Sequence, residues 1–239
     1  FSSRRRHTRY PLVTGVQTCA LPILTLHLRK QRIQVKAVPL PMTDAQARAK
    51  KQVATMTSEP ITTMVSFAVL WSDNQLADRF LKTSAKKAGN TLTAEGLTKT
   101  VSKVLADLEV PTPGLYLEDG SGLSKKNRVS ARTIASLLIK IRNNPTFQSI
   151  YDGLPIGGLT GTLANRFSNA PQAVGHVHAK TGFLSNVVSM AGYVESGENE
   201  YVFVIIVDGI QPRLSARKAA REVMDQMLAT IVTGNQQTP

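Results

Sequence analysis

Residues 176–207, HVHAKTGFLSNVVSMAGYVESGENEYVFVIIV, decide the fold. Three runs rich in β-branched and aromatic residues, at about His176–Thr181, Val187–Val194 and Tyr201–Val207, read as strands. Gly197-Glu198-Asn199 supplies a tight turn that makes the last two antiparallel neighbours. The stretch Ser215–Ile231 then predicts a closing helix, with Ala220, Val223, Met224, Met227 and Leu228 on its buried side.

Upstream, the apolar period changes to that of helices. Ile61, Met64, Val65, Ala68 and Val69 fall on one helical face, and Leu76, Phe80 and Leu81 predict a second helix to about Lys87. Gly89-Asn90 stops it, and Thr93 caps a third with Leu97, Val101, Val104, Leu105 and Leu108 inward. Pro111, Pro113 and Gly114 break that helix, and Leu115–Glu118 reads as a short strand entering the turn Asp119-Gly120-Ser121-Gly122. Ser130 caps a further helix with Ile134, Leu137, Leu138 and Ile141 inward, and 153–161 is loop. Helices followed by an antiparallel sheet and a terminal helix give an α+β fold, an antiparallel sheet flanked by helices.

Composition bounds the chemistry. The 239 residues, 42% hydrophobic, suffice for one sizeable core. No apolar run approaches the ~18 to 20 residues that span a bilayer. A net charge of +13 favours an anionic partner such as nucleic acid, cell-wall polymer or a substrate with a free carboxylate. Aromatics are only 5% and do not interleave with the basic runs, which argues against nucleic acid. The single cysteine, Cys19, excludes an intrachain disulfide. His176 and His178 have strand spacing but no carboxylate or cysteine close in sequence, so strand surface is favoured over a metal site. Neither a metal nor a cofactor is expected.

The first 58 residues read differently. Arg4, Arg5, Arg6 and a mildly apolar run ending near Cys19 imitate an export signal, but Pro11, Gly15, Gln17, Thr18 and Pro22 interrupt any apolar helix. Val-Thr-Gly-Val-Gln-Thr at 13–18 instead resembles the translation of a sequencing-adapter oligonucleotide, so 1–23 is expected to be an adapter-derived artefact. Removing Arg4, Arg5, Arg6 and Arg9 with it lowers the net charge from +13 by four, to +9. Residues 24–58, basic and with a short candidate strand at Lys51–Met56, are expected to be a linker or a remnant of an inserted domain, and 59–239 the C-terminal part of a larger catalytic domain.

Two short motifs carry chemistry: Ser72-Asp73-Asn74 at a helix junction and Lys180-Thr181-Gly182 at the end of a strand. Either alone is a weak signal, but in this order they belong to the S-x-x-K, S-D-N, K-T-G set of penicillin-interacting serine enzymes. With WSDNQLAD at 71–78, LEDGSGLSKKNRVS at 117–130, LPIGGLTGTLANRF at 154–167 and HAKTGFLSNVVSMAGYV at 178–194, the chain from about Pro60 to Val232 resembles the D-alanyl-D-alanine carboxypeptidase/endopeptidase family, low-molecular-mass penicillin-binding proteins with a transpeptidase-like fold. The resemblance implies cleavage of peptidoglycan stem peptides through an acyl-serine, inhibition by β-lactams and an extracytoplasmic location.

It also implies roles. Ser72 relays a proton to the leaving amine, and Asn74 holds substrate backbone with its amide donor and acceptor. Asp73 points away and anchors the loop. Lys180 puts a positive charge near the substrate's C-terminal carboxylate, which the Thr181 hydroxyl also binds. Gly182 leaves room for substrate backbone, and the Phe183 N–H is one oxyanion donor. The family often has a small hydroxyl residue where Phe183 stands, so side-chain contacts there depart from the pattern. Asp119, Gly120, Ser121 and Gly122 match a signature that shapes the wall of the site.

An active member needs Ser-x-x-Lys before Ser-Asp-Asn, and none precedes Ser72. Ser84–Lys87 and Ser215–Lys218 match in the wrong order, on faces that read as solvated helix. The nucleophile's segment is therefore expected to lie outside this chain, leaving it inactive, with an unpaired sheet edge as a second expected consequence. A class A β-lactamase is the enzymatic alternative, but it needs Glu with Asn four residues on, and Glu109 is followed by Val110, Pro111, Thr112 and Pro113. A non-catalytic module holding peptidoglycan is the other.

Overall fold

The computed structural model describes residues 30–31 and 57–234. Contacts divide the chain into two units, Phe1–Thr57 and Ser58–Pro239, and the second carries the fold. The candidate strand Lys51–Met56 and residues 1–23 lie outside the described residues.

Helix α1, Ile61–Trp71, begins after Pro60, a residue suited to a helix start because it needs no N–H partner. It ends when Ser72 turns into the left-handed region at φ 56° and ψ 51°. Helix α2, Asn74–Lys87, is then started by Asp73, whose carboxylate accepts the N–H groups of Gln75 and Leu76 at 3.0 and 2.9 Å. Thr93 caps α3, Ala94–Asp107, and Ser130 caps α4, Ala131–Arg142. A short α5, Gln148–Asp152, follows, and the terminal helix α6 is Leu214–Gly234.

Strands β1 (Val177–Phe183), β2 (Val188–Ser196) and β3 (Asn199–Val207) form an antiparallel meander in the order β1-β2-β3. In its register Val177 faces Val194 and Lys180 faces Ala191. Alternation along the strands sends the two faces to different cores. Val177, Ala179, Met190 and Phe203 pack with Met224 and Leu228 of α6. Tyr193, on the other face, packs against Leu138 and Ile141 of α4 and donates its hydroxyl to Leu138 O at 2.8 Å.

Gly192 lies where β1 and β2 leave no room for a side chain. A Cβ there would lie 2.1 Å from His178 O and 2.7 Å from Ala179 Cα, both backbone atoms that cannot swing aside. Gly192→Ala is expected to cost at least about 2 kcal/mol of stability, readable in urea denaturation. A loss below about 0.5 kcal/mol would show that the strands can part there.

Three expectations need correction. Val223 and Met227 are exposed at 58% and 51%, because α6 turns Met224, Asp225, Leu228, Ala229 and Val232 inward. Apolarity alone could not reveal this: the polar Asp225 belongs inside, ion-paired with Arg166. Val104 is exposed as well, since α3 buries the stripe Gly96, Leu97, Thr100 and Leu105 beside it. Leu115–Glu118 forms only an isolated bridge, Tyr116 with Arg128, and no strand. Among the described residues no helix is long and apolar enough to cross a membrane.

Candidate active site

The two motifs, 108 positions apart in sequence, meet: Lys180 Nζ donates to Ser72 Oγ at 2.7 Å. The junction between α1 and α2 makes this possible. A left-handed Ser72 reverses the chain within two residues, Asp73 N–H closes α1 on Ala68 O at 3.0 Å, and the Asp73 cap starts α2. The cap also shows that Asp73 faces the loop and not Lys180. Left-handed backbone costs a non-glycine residue about 1 kcal/mol or more, an expense characteristic of functional positions.

Lys180 is largely enclosed, and that burial lowers its pKa from 10.5 to about 8. Its ammonium also donates to Thr181 O at 2.7 Å. Because Lys180 donates to Ser72, the Ser72 hydroxyl proton is left to point elsewhere, the arrangement a proton relay needs. Asn74, first residue of α2, is exposed and its amide bonds nothing among the described residues. The Thr181 hydroxyl lies 3.1 Å from the Thr162 hydroxyl.

Parity along β1 fixes which amides are open. Leu184 N–H bonds Val187 O, and Glu195 N–H bonds His176 O, both at 2.9 Å, so even-numbered residues of β1 face β2. Odd-numbered ones face outward: Ala179 N–H reaches Pro155 O at 2.9 Å, and the N–H groups of Thr181 and Phe183 have no partner among the described residues. An extended peptide could pair along this edge. A Cβ on Gly182 would sit 2.3 Å from Ser189 Oγ on the neighbouring strand, so a side chain there would require that hydroxyl to rotate aside.

The signature 119–122 makes no hydrogen bond with Ser72 or Lys180 among the described residues. The Asp119 carboxylate gathers the N–H groups of Ser121, Gly122 and Ser124 at 2.9, 2.7 and 2.8 Å, with the Asn127 amide at 3.2 Å. Burial alone would raise its pKa, but these bonds together hold it below the usual carboxylate value. Gly120 N–H then donates to Asp78 of α2 at 3.1 Å, and a Cβ on Gly120 would lie 2.6 Å from Ala77 O. The turn braces the helix that Asn74 opens.

Sequence reasoning missed Thr162, although it lay within the quoted stretch 154–167, because a lone threonine in a loop carries no periodic signal. It also missed Arg217 and Arg221, which sit over the Phe183 ring with guanidinium carbons 4.8 and 4.4 Å from its centre. His176 and His178 find Glu195 across the ladder at 3.9 and 3.8 Å. Among the described residues no group of three or more such side chains could hold a metal.

This geometry has relatives. The chain is 34% identical over 185 residues to a D-alanyl-D-alanine carboxypeptidase of Actinomadura sp., a match covering 75% of this chain and 33% of that one. It is 30% identical over 201 residues to D-alanyl-D-alanine carboxypeptidase DacB of Haemophilus influenzae, covering 82% and 41%. The crystal structure of penicillin binding protein 4 (dacB) from Haemophilus influenzae, complexed with a β-lactam, superposes with a TM-score of 0.72 at 26% identity, over 90% of this chain and 51% of that one. The chain thus spans a third to two-fifths of the length of these curated relatives. Its α+β fold is that of the penicillin-binding proteins. A family model described as D-Ala-D-Ala carboxypeptidase 3 (S13) matches residues 7–231, a span that includes Ser72, Asn74 and Lys180-Thr181-Gly182, and the chain belongs to that family.

Proposed function

We propose that this chain supplies the proton-relay and carboxylate-binding half of an extracytoplasmic serine peptidase that cleaves the terminal D-Ala-D-Ala bond of peptidoglycan stem peptides. The single observation that carries this reading is the 2.7 Å bond between Lys180 and Ser72 beside an open strand edge. A serine attacks the penultimate carbonyl and forms an ester, while Ser72, held by Lys180, gives its proton to the departing D-alanine amine and takes up the proton that the attacking serine released. Asn74 and the edge of β1 hold the peptide backbone, and the Phe183 N–H faces the developing oxyanion. Lys180 and Thr181 receive the terminal carboxylate.

The attacking serine is neither Ser84 nor Ser215. Both are exposed on helices, and neither bonds Ser72 or Lys180. Incubation with a penicillin is therefore expected to leave the intact mass of the 239-residue chain unchanged. A stoichiometric adduct would place the nucleophile within it. Glu109, the one carboxylate weighed for a β-lactamase, is exposed and paired with Lys140 at 2.6 Å, which supports the peptidase reading.

Binding provides the positive test. A blocked peptide ending in D-Ala-D-Ala is expected to bind, its L-Ala-L-Ala counterpart not, and affinity should fall as pH rises through about 8, where Lys180 loses its charge. Equal binding of both peptides, or a flat profile to pH 10, would sink the reading.

A further inference from the structure

Thr162 is carried by a turn that is fastened to both arms of the site. Ahead of the turn, Gly157 N–H donates to Val177 O at 2.8 Å and Ala179 N–H to Pro155 O at 2.9 Å, so the segment runs along β1. The Thr160 hydroxyl accepts Ile156 N–H at 2.8 Å, and Leu163 is fully buried in the core that β1 shares with α6. Gly161, left-handed at φ 53°, lies against the end of α1. A Cβ on it would sit 2.5 Å from Leu70 O, two residues before Ser72. A loop threonine is ordinarily free to turn with solvent, but this one is held with its hydroxyl 3.1 Å from that of Thr181.

Proton direction decides what the pair can do. Lys180 directs two of its N–H groups at Ser72 Oγ and Thr181 O, which leaves the third for a carboxylate. The Thr181 hydroxyl is a further donor only when its proton is not turned to Thr162. Neither hydroxyl has another partner among the described residues. Were Thr181 the donor of the pair, its lone pairs would face the anion and repel it. With Thr162 as donor, the Thr181 proton points outward, and each bond strengthens the other.

We propose that Thr162 is a positioning residue for carboxylate recognition: its hydroxyl donates to Thr181 and so commits the Thr181 proton to the peptide's terminal carboxylate. The assignment rests on the reading that Lys180 and Thr181 receive that carboxylate. Thr162 acts through Thr181 and not by touching the peptide.

Calorimetric binding of two peptides to the whole chain tests this, one ending in a free D-Ala-D-Ala carboxylate and the other in its amide. Thr162→Val keeps the shape and removes the hydroxyl. It is expected to weaken the carboxylate peptide about fivefold and the amide less than about twofold, because a bond to an ionised acceptor is the stronger. Thr162→Ser should restore wild-type affinity, and both variants should melt with the wild type, since Thr162 is exposed. In a Thr181→Val background the Thr162→Val change should add nothing, the group it acts through being gone. Equal losses for the two peptides, or no rescue by serine, would reduce Thr162 to a structural part and overturn the proposal. A full further loss in the Thr181→Val background would overturn it as well, by making the contact direct. If Thr162→Val leaves affinity unchanged while the wild type still prefers the carboxylate, Thr162 has no such role and the Lys180 reading stands. If the wild type binds neither peptide, or both equally, the Lys180 reading itself fails and the proposal falls with it.

Discussion

Lys180→Met should weaken the binding of a D-Ala-D-Ala peptide by about 30-fold or more, the effect of truncating one partner of an enclosed charge pair at about 2 kcal/mol or above. The substitution removes the donor to Ser72 and the positive charge in one step, while methionine keeps the volume. Stability should move the other way. Burial lowers the Lys180 pKa from 10.5 to about 8, so charging this group disfavours the native state. Between those values the unfolded chain binds more protons than the folded one, so wild-type stability rises with pH across that window. Lys180→Met should abolish this slope and be no less stable at pH 7. Calorimetric binding and urea melts at several pH values would read both. Affinity within twofold of the wild type would remove Lys180 from carboxylate recognition.

Asp225→Ala should destabilise the domain by about 3 to 5 kcal/mol, because it strands Arg166 in a protein interior. Asp225 is only 6% exposed, and its two oxygens accept Arg166 Nε at 3.0 Å and Nη2 at 2.6 Å. The Phe167 N–H adds a third, longer bond at 3.4 Å. This pair ties the loop before β1 to α6. Replacing both partners with apolar residues of similar size should recover most of the loss, since the desolvation cost then disappears with the charges. Thermal denaturation of the single and double variants measures this. A single variant within 1 kcal/mol of the wild type would show that water reaches Arg166.

The strands and helices were legible because their periods are regular. Runs of β-branched and aromatic residues marked the three strands, and caps at Thr93 and Ser130 announced their helices. What stayed hidden depends on partners distant in sequence. The inward face of α6 turns on Asp225, which reads as a surface residue until Arg166 arrives from 59 positions away. Motif order suggested that Ser72 and Lys180 belong together, but only the fold shows the contact. The stacking of Arg217 and Arg221 on Phe183 has no local signature, because two arginines four apart on a helix are ordinary surface spacing.

The left-handed backbone at Ser72 makes this hydroxyl a hinge pin between two levers. Its direction is set by how α1 and α2 are packed about that single residue, more than by the freedom of a side chain on a regular helix. Substitutions far along either helix can therefore detune the proposed relay without touching it. The distance from Ser72 to Lys180 is then expected to drift through helix packing alone, with Ser72, Asn74 and Lys180 all unchanged.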